Sequence, residues 1–119
     1  MVGKILLVIR NQPYGSGRAA EGLRMATAMI AMDVLPKIMF IDDGVYCLVK
    51  NQTPEAAGLT SFGERLKTLA DLIGLYAVSS SMVTRNLQHS DLREEYDAKI
   101  ISMDEAAKLT RDSEAVMTF

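Results

Sequence analysis

Short apolar runs alternate with amphipathic stretches along the chain. The run Lys4–Ile9 is apolar after its first residue and lacks polar alternation, which is typical of a strand buried on both faces of a parallel sheet. Four further apolar runs of strand length predict strands at 37–41, 76–78, 99–101 and 115–119.

Helical periodicity occupies three of the intervals between these runs. Apolar residues recur there every three or four positions, which predicts one amphipathic face in each segment. The predicted helices cover 18–32, 61–73 and 103–110.

Two of these helices begin with a recognisable capping sequence. Ser61 with Glu64, and Ser102 with Glu105, have the spacing of a capping box, in which each side chain bonds the other's free backbone N–H. Gly74 is expected to end the first of these two helices, because glycine accepts the left-handed conformation that often follows a helix.

Four segments are less regular. Residues 45–49 fit a strand or a short helix, and residues 51–58 are expected to form a loop. Residues 79–87 predict a loop with a short helix, and 91–96 a further helical turn.

The alternation of strands and helices predicts a single α/β domain over residues 1–119. About five strands form a mainly parallel sheet, and right-handed crossovers place helices on both faces. Ligands of such sheets bind outside the carboxyl ends of the strands. The segments to examine are therefore 10–17, 42–47, 79–84 and 102–103.

Composition narrows the class of protein. The 119 residues are 49% hydrophobic and 24% charged, which is ordinary for a globular domain. A net charge of −2 gives no reason to expect direct nucleic-acid binding. No apolar run approaches the roughly 20 residues of a membrane span, and no signal-peptide pattern is recognised, so we expect a cytoplasmic protein without a membrane partner.

A glycine-rich stretch follows the first strand. Gly15, Gly17 and Arg18 lie in a sequence, Gly15–Ala20, that fits the G-x-G-x-x-A pattern of dinucleotide binding. However, Asn11–Tyr14 separate it from the strand, whereas the motif requires glycine at the strand end. A flexible loop is therefore favoured over a nucleotide site, although Arg18 and the loop amides can still contact an anion.

The acidic pair Asp42 and Asp43 follows the second strand. Carboxylates at a strand end can hold a divalent cation, but such ions need several oxygen ligands and no further acidic partner is evident. An acidic turn ending at Gly44 is favoured. We expect no metal and no cofactor.

The remaining candidate side chains are nucleophiles. Ser79, Ser80 and Ser81 follow the third strand, where they could present hydroxyls to a ligand, but no base neighbours them in sequence and a polar turn with an N-cap is favoured. Cys47 is the sole thiol and the candidate reactive one, but its apolar neighbours predict a buried, inert side chain. His89 is interpreted as a surface histidine because no second ligand or triad partner accompanies it.

The first predicted helix is apolar nearly all round. Met25, Met29 and Met32 lie at helical spacing beside its main apolar face. Methionine fills irregular gaps in cores and in adaptable interfaces, so burial in the core and oligomerisation explain the pattern equally well.

Three stretches together resemble one known family. They are Ile41–Tyr46, the span from Leu72 to Leu92 with its Leu72–Tyr76 and Ser81–Leu87 segments, and Val116–Phe119. In this order, and over nearly the whole chain, they resemble the DsrF/TusC branch of the DsrE/DsrF-like family.

The resemblance implies a flavodoxin-like or Rossmann-like fold and a subunit of intracellular sulfur trafficking, in transfer-RNA thiolation or sulfur oxidation. It also implies a homo-oligomer, or a hetero-oligomer with related DsrE- and DsrH-like subunits. The DsrE-type subunit carries persulfide on a cysteine just after the third strand, which corresponds here to Val78–Ser80. This stretch contains no cysteine, so the resemblance implies a non-catalytic accessory subunit with no catalytic residue. The alternative is a nucleotide- or anion-binding domain that uses Gly15–Ala20.

Overall fold

The computed structural model describes residues 4–57 and 61–119 and contains a five-stranded sheet. All four strand pairs are parallel, in the order β4-β3-β2-β1-β5. The strands are β1 Ile5–Ile9, β2 Lys37–Phe40, β3 Leu75–Val78, β4 Lys99–Ile101 and β5 Ala115–Thr118. The helices are α1 Arg18–Ala31, α2 Phe62–Ala70, α3 Ser79–Thr84 and α4 Met103–Arg111. The predicted α/β fold class and parallel sheet are confirmed.

Crossover direction explains which helix covers which face. From β1 to β4 the chain steps one strand at a time in one direction, so right-handed crossovers keep α1 and α2 on one face. The return from β4 to β5 crosses the whole sheet and carries α4 to the other face. Accordingly, Leu23 and Leu66 belong to one buried cluster, and Ala106 belongs to the other.

Strand β1 is buried on both faces, as its continuous apolar run predicts. Leu7 and Ile9 point into the cluster under α1 and α2, whereas Leu6 and Val8 point into the cluster under α4. A strand between two layers has no solvent side, so it shows no polar alternation.

The two capping sequences differ in the structure. Ser102 and Glu105 form the complete reciprocal box, with distances of 3.1 Å in both directions. At α2, Ser61 Oγ accepts the Glu64 N–H at 3.2 Å, but the return bond is absent. The Glu64 carboxylate instead lies 4.0 Å from the Arg93 guanidinium. The predicted box at Ser61 is therefore only half correct.

The predicted end of α2 is wrong. The helix stops at Ala70, and Asp71 is its C-cap in a right-handed conformation. Gly74 has no positive φ and lies directly before β3, so it does not provide a left-handed cap. Ile73 packs into the core from the connecting turn rather than from the helix.

The irregular segments contain 3₁₀ turns. Residues 45–49 lie mostly within a 3₁₀ helix over Asp42–Leu48, and the predicted 51–58 loop includes a turn at Pro54–Ala57. Gly58, the end of that loop, is outside the described residues. Short helix α3 occupies the start of 79–87, and the predicted turn in 91–96 is at Glu94–Tyr96. Among the described helices, none is long and apolar enough to cross a membrane.

Candidate functional site

The carboxyl edge of the sheet, where the strands end, holds the side chains predicted from the sequence. Ser81, which is 6% exposed, accepts a hydrogen bond through Oγ from the backbone N–H of Asp42 at 2.9 Å. Asp42 has a positive φ of 55°, and a Cβ at Gly44 would overlap the carbonyl oxygen of Ile9. The loop after β2 is thus held against both β1 and α3.

Both aspartates of this loop are paired with arginines. Arg10 contacts the Asp42 carboxylate at 3.0 Å, and Arg85 contacts the Asp43 carboxylate at 2.9 Å. Arg85 also donates to the Ser81 carbonyl at 3.2 Å. The acidic turn is therefore part of a charge-compensated network. No group of three or more metal-ligating side chains occurs within residues 4–57 and 61–119.

The serines after β3 do not cap α3. Its N-cap is Val78, and no side chain bonds a free N–H of its first turn, so the expected serine N-cap is wrong. Ser79 is half-buried and Ser80 is exposed, whereas Ser81 is used by Asp42. Two hydroxyls thus remain near the position that the family resemblance assigns to a cysteine.

The glycine-rich loop lies apart from this network. Gly15 has a φ of 98°, and Gly17 is the exposed N-cap of α1. The Arg18 guanidinium reaches the Thr118 carbonyl at 3.5 Å. Arg18 is thus directed towards β5, and nothing in the loop favours the dinucleotide interpretation.

Cys47 is buried, as its apolar neighbours predict. The residue is 2% exposed, and its Sγ lies 3.5 Å from the Asn11 carbonyl oxygen. Burial raises the pKa of the Cys47 thiol far above its ordinary value, although a backbone hydrogen bond partly opposes this effect. Because the thiolate is the nucleophile, this environment favours an inert side chain.

A cleft of about 680 Å³ lies outside this edge network, which consists of Arg10, Asp42, Asp43, Ser81 and Arg85. Apart from Tyr14, which follows β1, its wall residues come from three segments: the one after β2, the start of α2 and the one after β3. They include Lys50, Gln52, Ser61, His89, Arg93 and Tyr96. A shallower hollow of about 340 Å³ shares the wall residues Tyr14, Val49 and Gln52.

The cleft was not predicted from the sequence. Its walls combine three segments that have no shared motif. His89, which the sequence predicts to be a surface histidine, is exposed and lies in the lining. The order of strands and helices could have indicated its position, because all three segments follow a strand end or precede a helix at the carboxyl edge.

Two tyrosines hold the start of α2 in the cleft wall. The Tyr14 hydroxyl accepts the Phe62 N–H at 2.8 Å, and the two rings meet edge to face with centroids 6.5 Å apart. The Tyr96 hydroxyl donates to the Gly63 carbonyl at 3.3 Å. Burial raises the pKa of Tyr96.

Arg93 joins the third segment to this wall. Its guanidinium lies 3.0 Å from the Glu95 carboxylate and 5.1 Å from the Tyr96 ring centroid. The hydrogen bond to Glu95 raises the pKa of Arg93. A backbone hydrogen bond, followed by the bond from Arg93, lowers the pKa of Glu95.

The chain is thus an α/β domain with an open parallel sheet. The aspartates, arginines and serine of the edge network lie at the carboxyl ends of the strands. The family profile described as DsrE/DsrF-like matches residues 3–119. This chain belongs to the DsrE/DsrF-like family.

Relatives in sequence include a DsrF protein and TusC homologs. The chain is 29% identical to the intracellular sulfur oxidation protein DsrF of Allochromatium vinosum, and the match covers 100% of this chain and 98% of that protein. A TusC homolog of Haemophilus influenzae is 36% identical over 90 residues, which are 71% of each chain.

Two solved structures share the fold. The ychN protein from E. coli superposes with a TM-score of 0.80 at 22% identity and covers 100% of both chains. A protein of unknown function from Methanobacterium thermoautotrophicum gives a TM-score of 0.77 at 12% identity, with 98% of both chains covered.

Proposed function

We propose that this protein is a non-catalytic accessory subunit of intracellular sulfur trafficking, in sulfur oxidation or in transfer-RNA thiolation. Membership of the DsrE/DsrF-like family, and relatives named DsrF and TusC, support the pathway. The observation that carries the accessory role is the absence of a reactive thiol. The chain has one cysteine, and burial keeps its thiol protonated.

The stretch Val78–Ser81 supports this assignment chemically. A persulfide carrier needs a thiolate that attacks the sulfane sulfur of its donor and later releases it. The hydroxyls of Ser79 and Ser80 are not ionised near neutral pH, so they cannot accept sulfur in this way. The subunit therefore contributes through association in the cytoplasm rather than through its own sulfur chemistry.

Exposed apolar side chains at one end of the domain support association with further subunits. Met32, Leu35 and Leu72 are 76%, 64% and 53% exposed. They lie at the opposite, amino edge of the sheet, because Met32 ends α1 and the other two precede β2 and β3. Large exposed apolar side chains at one end of a domain are typical of a contact surface, here for a second copy or a related DsrE- or DsrH-like subunit.

Mass spectrometry after incubation with a cysteine desulfurase and cysteine tests the accessory role. We expect no added sulfur on the native protein, whereas a DsrE-type subunit in the same reaction gains 1 sulfur per reactive cysteine. Stoichiometric persulfide on Cys47 would overturn the non-catalytic assignment.

Light scattering coupled to size-exclusion chromatography tests the association. We expect a mass of at least twice 13.1 kDa for the protein alone, or a complex that contains both chains after mixing with a DsrE-type subunit. Leu72→Lys should shift the protein to the monomer, while Val83→Lys, which alters another exposed apolar side chain on α3, serves as the matched control. A monomer in every mixture would contradict the accessory role.

A further inference from the structure

The cleft beside the start of α2 has a size typical of small-molecule sites. Its volume of about 680 Å³ is within the usual range of ligand pockets, and it lies at the carboxyl edge where parallel sheets bind ligands. Neither the acidic turn nor the exposed apolar side chains at the amino edge contribute to its walls. The cleft is thus a separate feature from the proposed association surface.

Arg93 is a residue of the cleft lining whose guanidinium has N–H donors without hydrogen-bond partners among the described residues. A guanidinium has five N–H donors in a planar fork. Its hydrogen bonds within the described chain go to Glu95 at 3.0 Å and to the Tyr96 hydroxyl at 3.4 Å, and the Glu64 carboxylate lies 4.0 Å away as a second ion-pair partner. The other donors have no hydrogen-bond partner among the described residues. With its side chain only 21% exposed, Arg93 is held in place by packing.

The absence of a side chain at Gly63 leaves room for the Arg93 guanidinium beside the start of α2. A Cβ at Gly63 would come within 2.8 Å of Arg93 Nη1 and 3.0 Å of the Tyr96 hydroxyl. The guanidinium therefore rests against the first turn of α2. The N–H groups of Phe62 and Glu64 in that turn already bond Tyr14 and Ser61, so free donors in this wall come from Arg93 rather than from these amides.

Further cationic groups line the cleft. Lys50 is exposed and forms no ion pair with another described residue, and His89 is exposed on the rim. Two carboxylates, of Glu94 and Glu95, also line the cleft, and Glu95 is engaged by Arg93.

The opening also has apolar walls. Val49 and Leu92 face each other across an isolated antiparallel bridge, and Pro54 lies nearby in the lining. The backbone of this bridge is closed by hydrogen bonds from Lys50 to Asp91 and from Arg93 to Leu48, both at 3.0 Å. These hydrogen bonds fix the backbone of Lys50 and of Arg93, and both residues line the cleft.

We propose that this cleft binds a small organic molecule with a carboxylate or phosphate group on a compact apolar body. The planar fork of Arg93 matches the two oxygens of such a group, and Lys50 adds a second positive charge. The apolar body packs against Val49, which is partly exposed, whereas Leu92 is only 5% exposed and supports this wall from the core. A fixed arginine with unfilled donors in a cavity of this size is the combination on which the proposal rests.

Amide chemical-shift titration of the full chain tests the proposal, with phenyl phosphate and benzoate as probes and inorganic phosphate as the reference. We expect saturable shifts at the amides of Gly63, Ser90 and Arg93 with at least one of the two organic probes. Inorganic phosphate should bind more weakly because it lacks the apolar body. The preferred organic probe distinguishes phosphate from carboxylate recognition.

Variants test the role of the arginine. Arg93→Gln should weaken binding about tenfold or more, because a charge-assisted hydrogen bond is lost from a partly buried site. The matched control is Arg10→Gln, which removes the same charge from the edge network outside the cleft and should leave binding unchanged. Should Arg93→Gln fail to fold, Lys50→Gln replaces it, because the exposed lysine is not part of the packing; it should weaken binding several-fold.

Three results would overturn the proposal: no saturable shift at these amides with either organic probe, equal binding by wild type and folded Arg93→Gln, or equal losses in Arg93→Gln and Arg10→Gln. Where Lys50→Gln replaces Arg93→Gln, an unchanged affinity of that variant would also overturn the proposal.

Discussion

The buried hydroxyl of Ser81 and the backbone N–H of Asp42 form a hydrogen bond of 2.9 Å across 39 residues of sequence. This bond joins the first helical turn after β3 to the loop after β2. It satisfies a backbone donor at a residue with a positive φ. The conformation of the acidic turn therefore depends on a side chain of the neighbouring strand connection.

Ser81→Ala should lower the free energy of unfolding by about 1–3 kcal/mol, because the Asp42 N–H loses its partner in a partly buried place. Urea denaturation followed by circular dichroism measures the change. Ser80→Ala is the matched control; its side chain is exposed, and the expected change is within about 0.5 kcal/mol. Equal effects of the two substitutions would show that the Ser81 hydroxyl does not hold the turn.

Gly44→Ala should be among the most damaging small substitutions. The added Cβ would overlap the Ile9 carbonyl oxygen, which belongs to β1 and cannot move without disturbing the sheet. We expect a loss on the order of 3 kcal/mol or more, or no cooperative unfolding transition. Gly17→Ala has open space around its Cβ and should change stability by about 1 kcal/mol or less. A native-like melting temperature for Gly44→Ala contradicts the close approach.

Burial of Cys47 makes stability depend on alkaline pH. Its pKa is raised in the folded state, so the stabilisation is complete below the ordinary thiol pKa and is lost as pH rises above it. Relative to Cys47→Ala, the wild-type free energy of unfolding should fall by up to about 1.4 kcal/mol per pH unit above pH ~9. Denaturation series from pH 7 to about pH 10 measure it. Parallel curves for the two proteins would mean that the folded thiol ionises normally.

Ser79→Cys should introduce a thiol that reacts where Cys47 does not. Ser79 is half-buried at the start of α3, a position that favours the thiolate more than the interior around Cys47 does. Iodoacetamide at neutral pH, followed by peptide mass mapping, should alkylate residue 79 at least about tenfold faster than residue 47. Ser113→Cys, on the chain before β5, controls for partial exposure alone. Faster alkylation of Cys47 would contradict the assigned burial.

Much of the fold follows from local sequence pattern. The apolar run of β1 predicts burial on both faces because a solvent-facing strand would alternate. The Ser102 and Glu105 pair predicts the start of α4 because both bonds of a capping box form within four consecutive residues. Local signals of this kind need no partner from elsewhere in the chain.

Local sequence pattern does not predict every hydrogen bond or every helix end. At Glu64, a charged residue from a distant segment competes for the side chain. The Ser61 and Glu64 pair has the same spacing as the box of α4, but Glu64 lies near Arg93 and the return bond does not form. Gly74 carries the expected residue type for a helix end, but α2 stops earlier, at Ala70. Arg93 comes from another segment of the chain, so the Ser61–Glu64 segment by itself does not show that the return bond is missing.

More of the edge network than of the cleft can be predicted from the sequence alone. Sequence alone placed Asp42, Asp43 and Ser81 at one edge, because parallel strands bring their carboxyl ends together. Only the tertiary structure decided the strand order, the pairing of both aspartates with arginines, and the cleft that Arg93 and Lys50 both line. The alternation of strands and helices follows from local periodicity, whereas side-chain partners depend on three-dimensional distances between segments that are far apart in the chain.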